Sequence, residues 1–186
     1  MALKEESEFH LVSSFTEGVT AAVGNLEEML PCSSNASVNI KQTKELHSIK
    51  EISGLCPSGS ETFALNLSNH GQNLGVATLI FTEENSNNLA AILMDIEPTD
   101  PELQEDKGDI LCEVSNIVLN TCLGYLADDI IVPLLTGVPY SLKSFTEVFP
   151  DSDTIKPQVL LSAKFANESL AILAEVSILL PRHLLK

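Results

Sequence analysis

The sequence is short of cations: 10 lysines and arginines stand against 26 aspartates and glutamates, a formal net charge of −16. Nucleic-acid binding needs clustered Lys and Arg to neutralise phosphates, so that class of partner is excluded, and anionic membrane surfaces are disfavoured for the same reason. Long hydrophobic runs are missing too, since no uninterrupted apolar stretch approaches the roughly 18 residues of a membrane span. The opening MALKEESEF has neither the basic nor the apolar region of a signal peptide. No membrane association is expected, and the expected location is cytoplasmic.

Cysteine is sparse and unpatterned. Cys32, Cys56, Cys112 and Cys122 form no CxxC pair and have no histidine at metal-ligand spacing, which points to reduced thiols and to neither a metal site nor a disulfide framework. His10, His47, His70 and His183 are scattered without a nucleophile pattern. Glycine-rich phosphate loops and a serine nucleophile elbow are absent, which argues against an ATP-using enzyme or a serine hydrolase.

What remains is an ordinary globular composition. With 44% hydrophobic and 19% charged residues in 186, the chain can build one substantial core, and a single domain over residues 1–186 is expected.

Apolar residues from Leu11 to Leu30 recur at helical spacing between Phe9 and Leu30, and Pro31 supplies a stop. From Cys32 to Ser60 the pattern weakens to loop-like clusters around a strand at Ser37 to Lys41. Glu61 to Leu67 and Leu74 to Phe81 read as strands of a hairpin, joined by SNHGQN. Glu84 to Met94 reads as a short helix. Thr99 and Glu102 suit a capping box, opening either a long helix or a segment just ahead of it, with Gly108 as a candidate break. After that helix, IIVPLLTGVPY reads as an irregular strand interrupted by Pro133, and TEVFPDSDTIKP as a loop. Gln158 to Phe165 and Leu170 to Leu180 read as a second strand pair.

The segment Gly108 to Leu126 carries the chemistry. On a helix of about 3.6 residues per turn, Asp109, Glu113, Asn116 and Asn120 fall within one narrow stripe. Ile110, Leu111, Val114, Val118, Thr121, Cys122 and Tyr125 fall opposite, as an apolar face. The stripe has two carboxylates, two carboxamides and no Lys or Arg. Asn is a poor helix former, so two of them on one face call for a reason other than helicity.

The chain also repeats itself. Glu113 minus Glu17 and Leu170 minus Leu74 both equal 96, and at that offset GVATLIF from Gly75 lies against AILAEVS from Ala171, and Phe63 against Val159. Ser13, Glu17 and Thr20 then occupy the places of Asp109, Glu113 and Asn116. The fold expected is α+β: pseudo-duplicated halves, about 8–94 and 99–182, forming one sheet with the two long helices packed on one face.

Asp109, three residues, Glu113, two residues, Asn116, then twenty-two residues to Pro139 is a spacing that resembles the signature of the CheC, CheX and FliY family of chemotaxis phosphatases. The surrounding EVSNIVLNTCLGYLADDI is similar to its CheC-like branch. The resemblance implies a hydrolase that removes the aspartyl phosphate of a CheY-like response regulator in two-component signalling. It implies that Asn116 is the catalytic carboxamide, orienting water, and that Glu113 is the anchor that pairs with the regulator's active-site Lys. Asp109 and Pro139 are supporting positions: Asp109 either pairs with a peripheral group or fixes the helix start, and Pro139 shapes the backbone beside the ridge. No cofactor of its own is expected, because the regulator brings Mg²⁺ to its own phosphate. A CheD-like deamidase is a further partner the resemblance allows, and monomer and homodimer both stay open.

Four departures from the family pattern stand out. Ser115 and Asn120 occupy positions where members often have Gly, and Asn120 is expected either to crowd the docking surface or to add a partner contact. In the first half Thr20 replaces Asn, and Thr43 sits where the signature proline would fall. One active site is therefore expected, not two. The competing reading is a non-catalytic binding or adaptor module for a response regulator or a CheD-like partner.

Overall fold

Side-chain alternation at period two is the rule that assembles this molecule. A computed structural model describes residues 2–30, 37–46, 51, 59–144, 147–148 and 157–186, with side-chain placement given for all of these except 2–7 and 40–43. Two long helices, α1 (Ala2–Glu28) and α3 (Glu102–Leu126), and a shorter one, α2 (Glu83–Met94), accompany among the described residues strands β1 (Ser37–Leu46), β2 (Ser60–Asn69), β3 (Gln72–Thr82), β4 (Leu135–Thr136), β5 (Tyr140–Ser141), β6 (Gln158–Asn167) and β7 (Ile172–Pro181). All the described strands join one antiparallel sheet in the order β1-β6-β7-β3-β2-β4, with β5 also on β2.

Phe63 and Leu65 of β2, Leu79 and Phe81 of β3, Leu161 and Phe165 of β6, and Val176 and Ile178 of β7 form one buried cluster with the apolar sides of α1 and α3. Both long helices therefore cover the same face. The opposite face buries a smaller cluster of Leu46, Ala64, Val76, Leu142, Val148, Leu160 and Leu179. At the centre of the sheet the backbones of β3 and β7 come so close that a Cβ on Gly75 would lie 2.2 Å from the Leu179 carbonyl oxygen. Only glycine fits there.

The strand order reads the same from either end once β1 is exchanged for β4 and β5, β6 for β2, and β7 for β3. Adding 96 to the bounds of β1 gives 133–142, which spans β4 and β5. In the helices the same offset carries Leu11, Phe15, Val19, Ala22, Val23, Leu26 and Leu30 onto Lys107, Leu111, Ser115, Val118, Leu119, Cys122 and Leu126, every one of them buried. The offset fails in the third strand of each half. Leu79 faces the helices, and 96 residues on is Glu175, which lies on the other face beside Lys164 at 3.6 Å. Two features cause the slip. A register shift interrupts β2–β3 between Leu67 and Ser68, and the β6–β7 connection is a 3₁₀ turn over Glu168–Leu170 plus Ala171, whereas His70 and Gly71 alone close β2–β3. An odd change in register turns every side chain of a strand to the opposite face.

Element boundaries differ from expectation where pairing, not periodicity, sets them. β1 runs on to Leu46 because its residues pair with β6 down to Leu46–Gln158. His70 (φ 47°) and Gly71 (φ 78°) make the two-residue turn of the first hairpin, with both residues in the left-handed region such turns need. The stretch around Pro133 is not one strand but two short ones, both on the outer edge of β2, where a missing N–H costs no ladder bond. The Cys32–Ser60 connection, apart from β1, Glu51 and Gly59–Ser60, and most of the loop before Pro157 lie outside the described residues. Cys32, Cys56 and His47 do as well.

Candidate functional site

The ridge predicted from the sequence sits on α3. The helix opens with Asp100 Oδ1 accepting from the Glu102 backbone N–H at 2.9 Å, so Asp100 takes the part assigned to Thr99. It then runs unbroken through Gly108, which is exposed and meets no neighbour. A glycine inside a helix costs about 1 kcal/mol relative to alanine but does not end it when 25 residues are held by packing.

Asp109 and Glu113 are exposed, while Asn116 and Asn120 are half-buried, all on one side of α3. Leu111, Val114, Val118 and Cys122 are buried on the other, with Ile110 and Thr121 half-buried. Tyr125 departs from the expected apolar face and is 46% exposed. The reason is the crossing of α1 and α3: at Gly18 a Cβ would lie 3.1 Å from Tyr125 Cβ and from Cys122 Cα and O. Backbones that close leave no room for the ring between the helices. Tyr125 instead lines the mouth of a groove with His10, Ser14, Glu17, Asn120 and Asp128.

Within the ridge, Asn120 Nδ2 donates to Asn116 Oδ1 at 2.7 Å and to the Asn116 backbone carbonyl at 2.9 Å. Just beneath, the buried Ser115 hydroxyl donates to the Leu111 carbonyl at 2.6 Å. This satisfies a polar group that the core side of the helix would otherwise strand. Cys112, three residues after Asp109, has its thiol pushed up by burial and, second, by the Asp109 carboxylate. It is therefore held neutral rather than poised as a nucleophile.

A second polar feature had no signal in the sequence. Lys107 is 9% exposed, and its Nζ donates to Glu61 Oε1 at 2.7 Å and to Asn87 Oδ1 at 2.8 Å, tying α3 to β2 and α2. These partners lie 46 and 20 residues away in the chain, and only the fold brings them together.

Pro139 is half-buried between β4 and β5. Its neighbours are pinned to β2: Gly137 N–H donates to Asn66 O at 2.9 Å, Leu142 N–H to Thr62 O at 2.7 Å, and the Tyr140 hydroxyl to Asn66 Oδ1 at 2.9 Å. Burial raises the Tyr140 hydroxyl's pKa, the Asn66 bond works against that, and Glu147 adds to it. β5 also packs against α3, so the proline-bearing edge adjoins the ridge helix.

The first-half stripe is closed on itself. Ser13 Oγ donates to Glu17 Oε1 at 3.3 Å and Thr20 Oγ1 to the Thr16 carbonyl at 2.8 Å. Thr43, offset from Pro139 by 96, lies in β1 opposite Leu161. Among the described residues no group of three or more His, Cys, Asp and Glu side chains could hold a metal ion. The Glu102–Asp129 stretch is long and apolar enough to cross a membrane by length and composition, with a mean hydropathy of 1.4 over its best window. In this fold that apolarity is spent on α1 and the sheet.

No protein-family model matches the chain, and no curated protein does. Solved structures do. FliY of Thermotoga maritima matches with a TM-score of 0.70 at 15% identity, over 99% of this chain and 94% of that one. FliM in the FliG–FliM complex from H. pylori matches at 0.69 and 9%, over 95% and 93%. CheX in the complex with CheY, BeF3 and Mg²⁺ from Borrelia burgdorferi matches at 0.59 and 16%, over 92% and 97%. At such identities the likeness establishes the shared fold.

Proposed function

We propose that this chain, which has the fold of FliY, the FliM middle domain and CheX, hydrolyses the aspartyl phosphate of a CheY-like receiver domain, with Asn116 placing water and Glu113 anchoring the receiver. The observation that carries the reading is the pairing on one accessible side of α3 of an exposed carboxylate, Glu113, with a carboxamide one turn later, Asn116. Asn116 keeps both Nδ2 hydrogens uncommitted among the described residues. The similarity to a CheX that was solved bound to CheY adds support.

The chemistry asks little of the protein. An aspartyl phosphate is a labile mixed anhydride, and a receiver's own Mg²⁺ supplies charge neutralisation at its phosphoryl group. This chain's task is to put water in line. A carboxamide can do so because it donates and accepts at once, as the glutamine of GTPases does in the handling of phosphoryl transfer. Oδ1 of Asn116 has two lone pairs; Asn120 takes one, and the other remains for a water proton. Glu113, exposed on the helix, supplies a negative charge to a cationic receiver group, and aspartate there would be one methylene too short. Asp109, one turn earlier, extends the same acidic surface. The net charge of −16 favours a partner surface that is basic around its phosphorylation site and speeds the encounter at low salt.

The competing reading is an adaptor that binds without turnover. It is favoured by the FliM structures, one of them a complex with FliG, and by the closed stripe on α1, since a ridge in this fold can be lost. Phosphate release from a phosphorylated receiver domain, compared between the wild type and Asn116→Ala, separates the two. An enzyme accelerates release and the variant does not; an adaptor leaves the receiver's own rate unchanged in both.

A further inference from the structure

We infer that Asn120 is a positioning residue for Asn116, fixing which end of that carboxamide faces the partner. The inference rests on the reading of Asn116 as the group that enters the receiver.

A terminal carboxamide rotates easily about χ2, and its two orientations are nearly the same shape. Left alone on a helix, Asn116 would present its oxygen or its nitrogen outward with little preference. Asn120 removes the ambiguity. Its Nδ2 carries two hydrogens, and one is committed to the Asn116 backbone carbonyl at 2.9 Å, which holds the Asn120 side chain itself against the helix. The other points at the Asn116 side chain at 2.7 Å. Only an acceptor can sit there, so Oδ1 is turned inward towards Asn120 and Nδ2 is turned away. The reverse orientation would set donor against donor.

With Nδ2 outward, both of its hydrogens are available to phosphoryl oxygens, and the second lone pair of Oδ1 stays open at the side for a water proton. One group then meets the phosphate and the attacking water together. Both donors of Asn120 are spent inside the ridge, so the hydrogens of its carboxamide serve Asn116 and not the docking surface. An alanine would hold the helix better at position 120. In the first half the position 96 residues earlier is Gly24, which meets no neighbour, and that half also lacks the carboxamide, having Thr20 instead. The positioning device and the group it positions are present together or absent together.

The test uses the full chain and a CheY-like receiver domain phosphorylated with acetyl phosphate. Asn120→Asp keeps the shape but removes the donor, Asn120→Ala removes both, and Asn120→Gln keeps a donor. The expected result is a fall in kcat of about tenfold for Asp and Ala with KM within about twofold of wild type, and at least half of kcat kept by Gln. A rise in KM with kcat unchanged would make Asn120 a docking contact and overturn the inference. A second readout needs no turnover: NMR order parameters of the Asn116 side-chain NH₂ group in the free protein. These are expected to be high in wild type and Asn120→Gln and low in Asn120→Asp, and equal values in all would overturn the inference. If wild type does not accelerate phosphate loss at all, the phosphatase reading falls, and the order parameters alone decide whether Asn120 positions Asn116.

Discussion

Asn25 on α1 donates through Nδ2 to Thr121 Oγ1 on α3 at 3.2 Å, and the two residues are 96 positions apart. That number is the offset at which the buried faces of the two helices superpose, so residues equivalent in the two halves meet where α1 and α3 cross. The contact marks the pseudo-symmetry axis. The two ridges differ in their hydrogen bonds: on α1 Ser13 donates to Glu17 and Thr20 to the Thr16 carbonyl, whereas on α3 Asn120 donates to the Asn116 side chain and carbonyl.

The crossing gives a stability prediction. A Cβ at Gly18 would press against backbone atoms of Cys122 at 3.1 Å, whereas one at Gly24 meets nothing within 4 Å. Gly18→Val is expected to destabilise by roughly 3 kcal/mol by overpacking a buried helix crossing. Gly24→Ala is expected to stabilise by up to about 1 kcal/mol through helix propensity and unfolded-state entropy. Urea denaturation reads both, and a shift of the same sign in the two variants would contradict the geometry.

Stability should also fall in alkali. The Cys122 thiol is buried, and its pKa is pushed up from 9.0 to about 12, desolvation being the main cause. Because the folded pKa is the higher one, the thiol's contribution is intact below pH 9. It is lost as pH rises from there towards 12, at up to about 1.4 kcal/mol per pH unit, because the unfolded chain ionises first. Denaturation of wild type and Cys122→Ala between pH 8 and about pH 10.5 checks this. The variant is expected to lose stability less steeply, and parallel slopes would contradict the assignment.

Much of this was legible in the sequence, and the exceptions have physical causes. The core of α1, both hairpins, α3 and the ridge follow from period and turn chemistry alone. The first residues of α1 carry no apolar periodicity, so its start at Ala2 rather than near Phe9 could not be read. The end of β1 depends on pairing with a strand more than a hundred residues away. The strand alignment at offset 96 failed because a register shift in one hairpin and a longer turn in the other are invisible to residue matching. Lys107 looks like a surface lysine until Glu61 and Asn87 arrive. Asn120 lies on the ridge beside Asn116, and their i, i+4 spacing is a readable cue to the bond between them.

The ridge itself is tested by comparing halves. Glu113→Ala is expected to weaken binding of a phosphorylated receiver domain by about tenfold, the loss of one well-placed charge pair, and the difference should shrink in high salt. Thr20→Ala, on the closed stripe, is expected to change binding by less than about twofold. Isothermal titration at two salt concentrations reads the difference. Equal weakening by both substitutions would contradict a single site.

The most direct measurement is the rate constant for aspartyl-phosphate loss from a receiver domain at saturating concentrations of this protein, with wild type and Asn116→Ala matched for helix content by circular dichroism. Asn116 lies on a half-buried ridge and not in the core, so the variant should fold. The account predicts that wild type accelerates the loss and that Asn116→Ala reduces that acceleration by about a hundredfold, as expected for removal of a group that only positions water. Undiminished acceleration by the folded variant, or none by wild type, would contradict it.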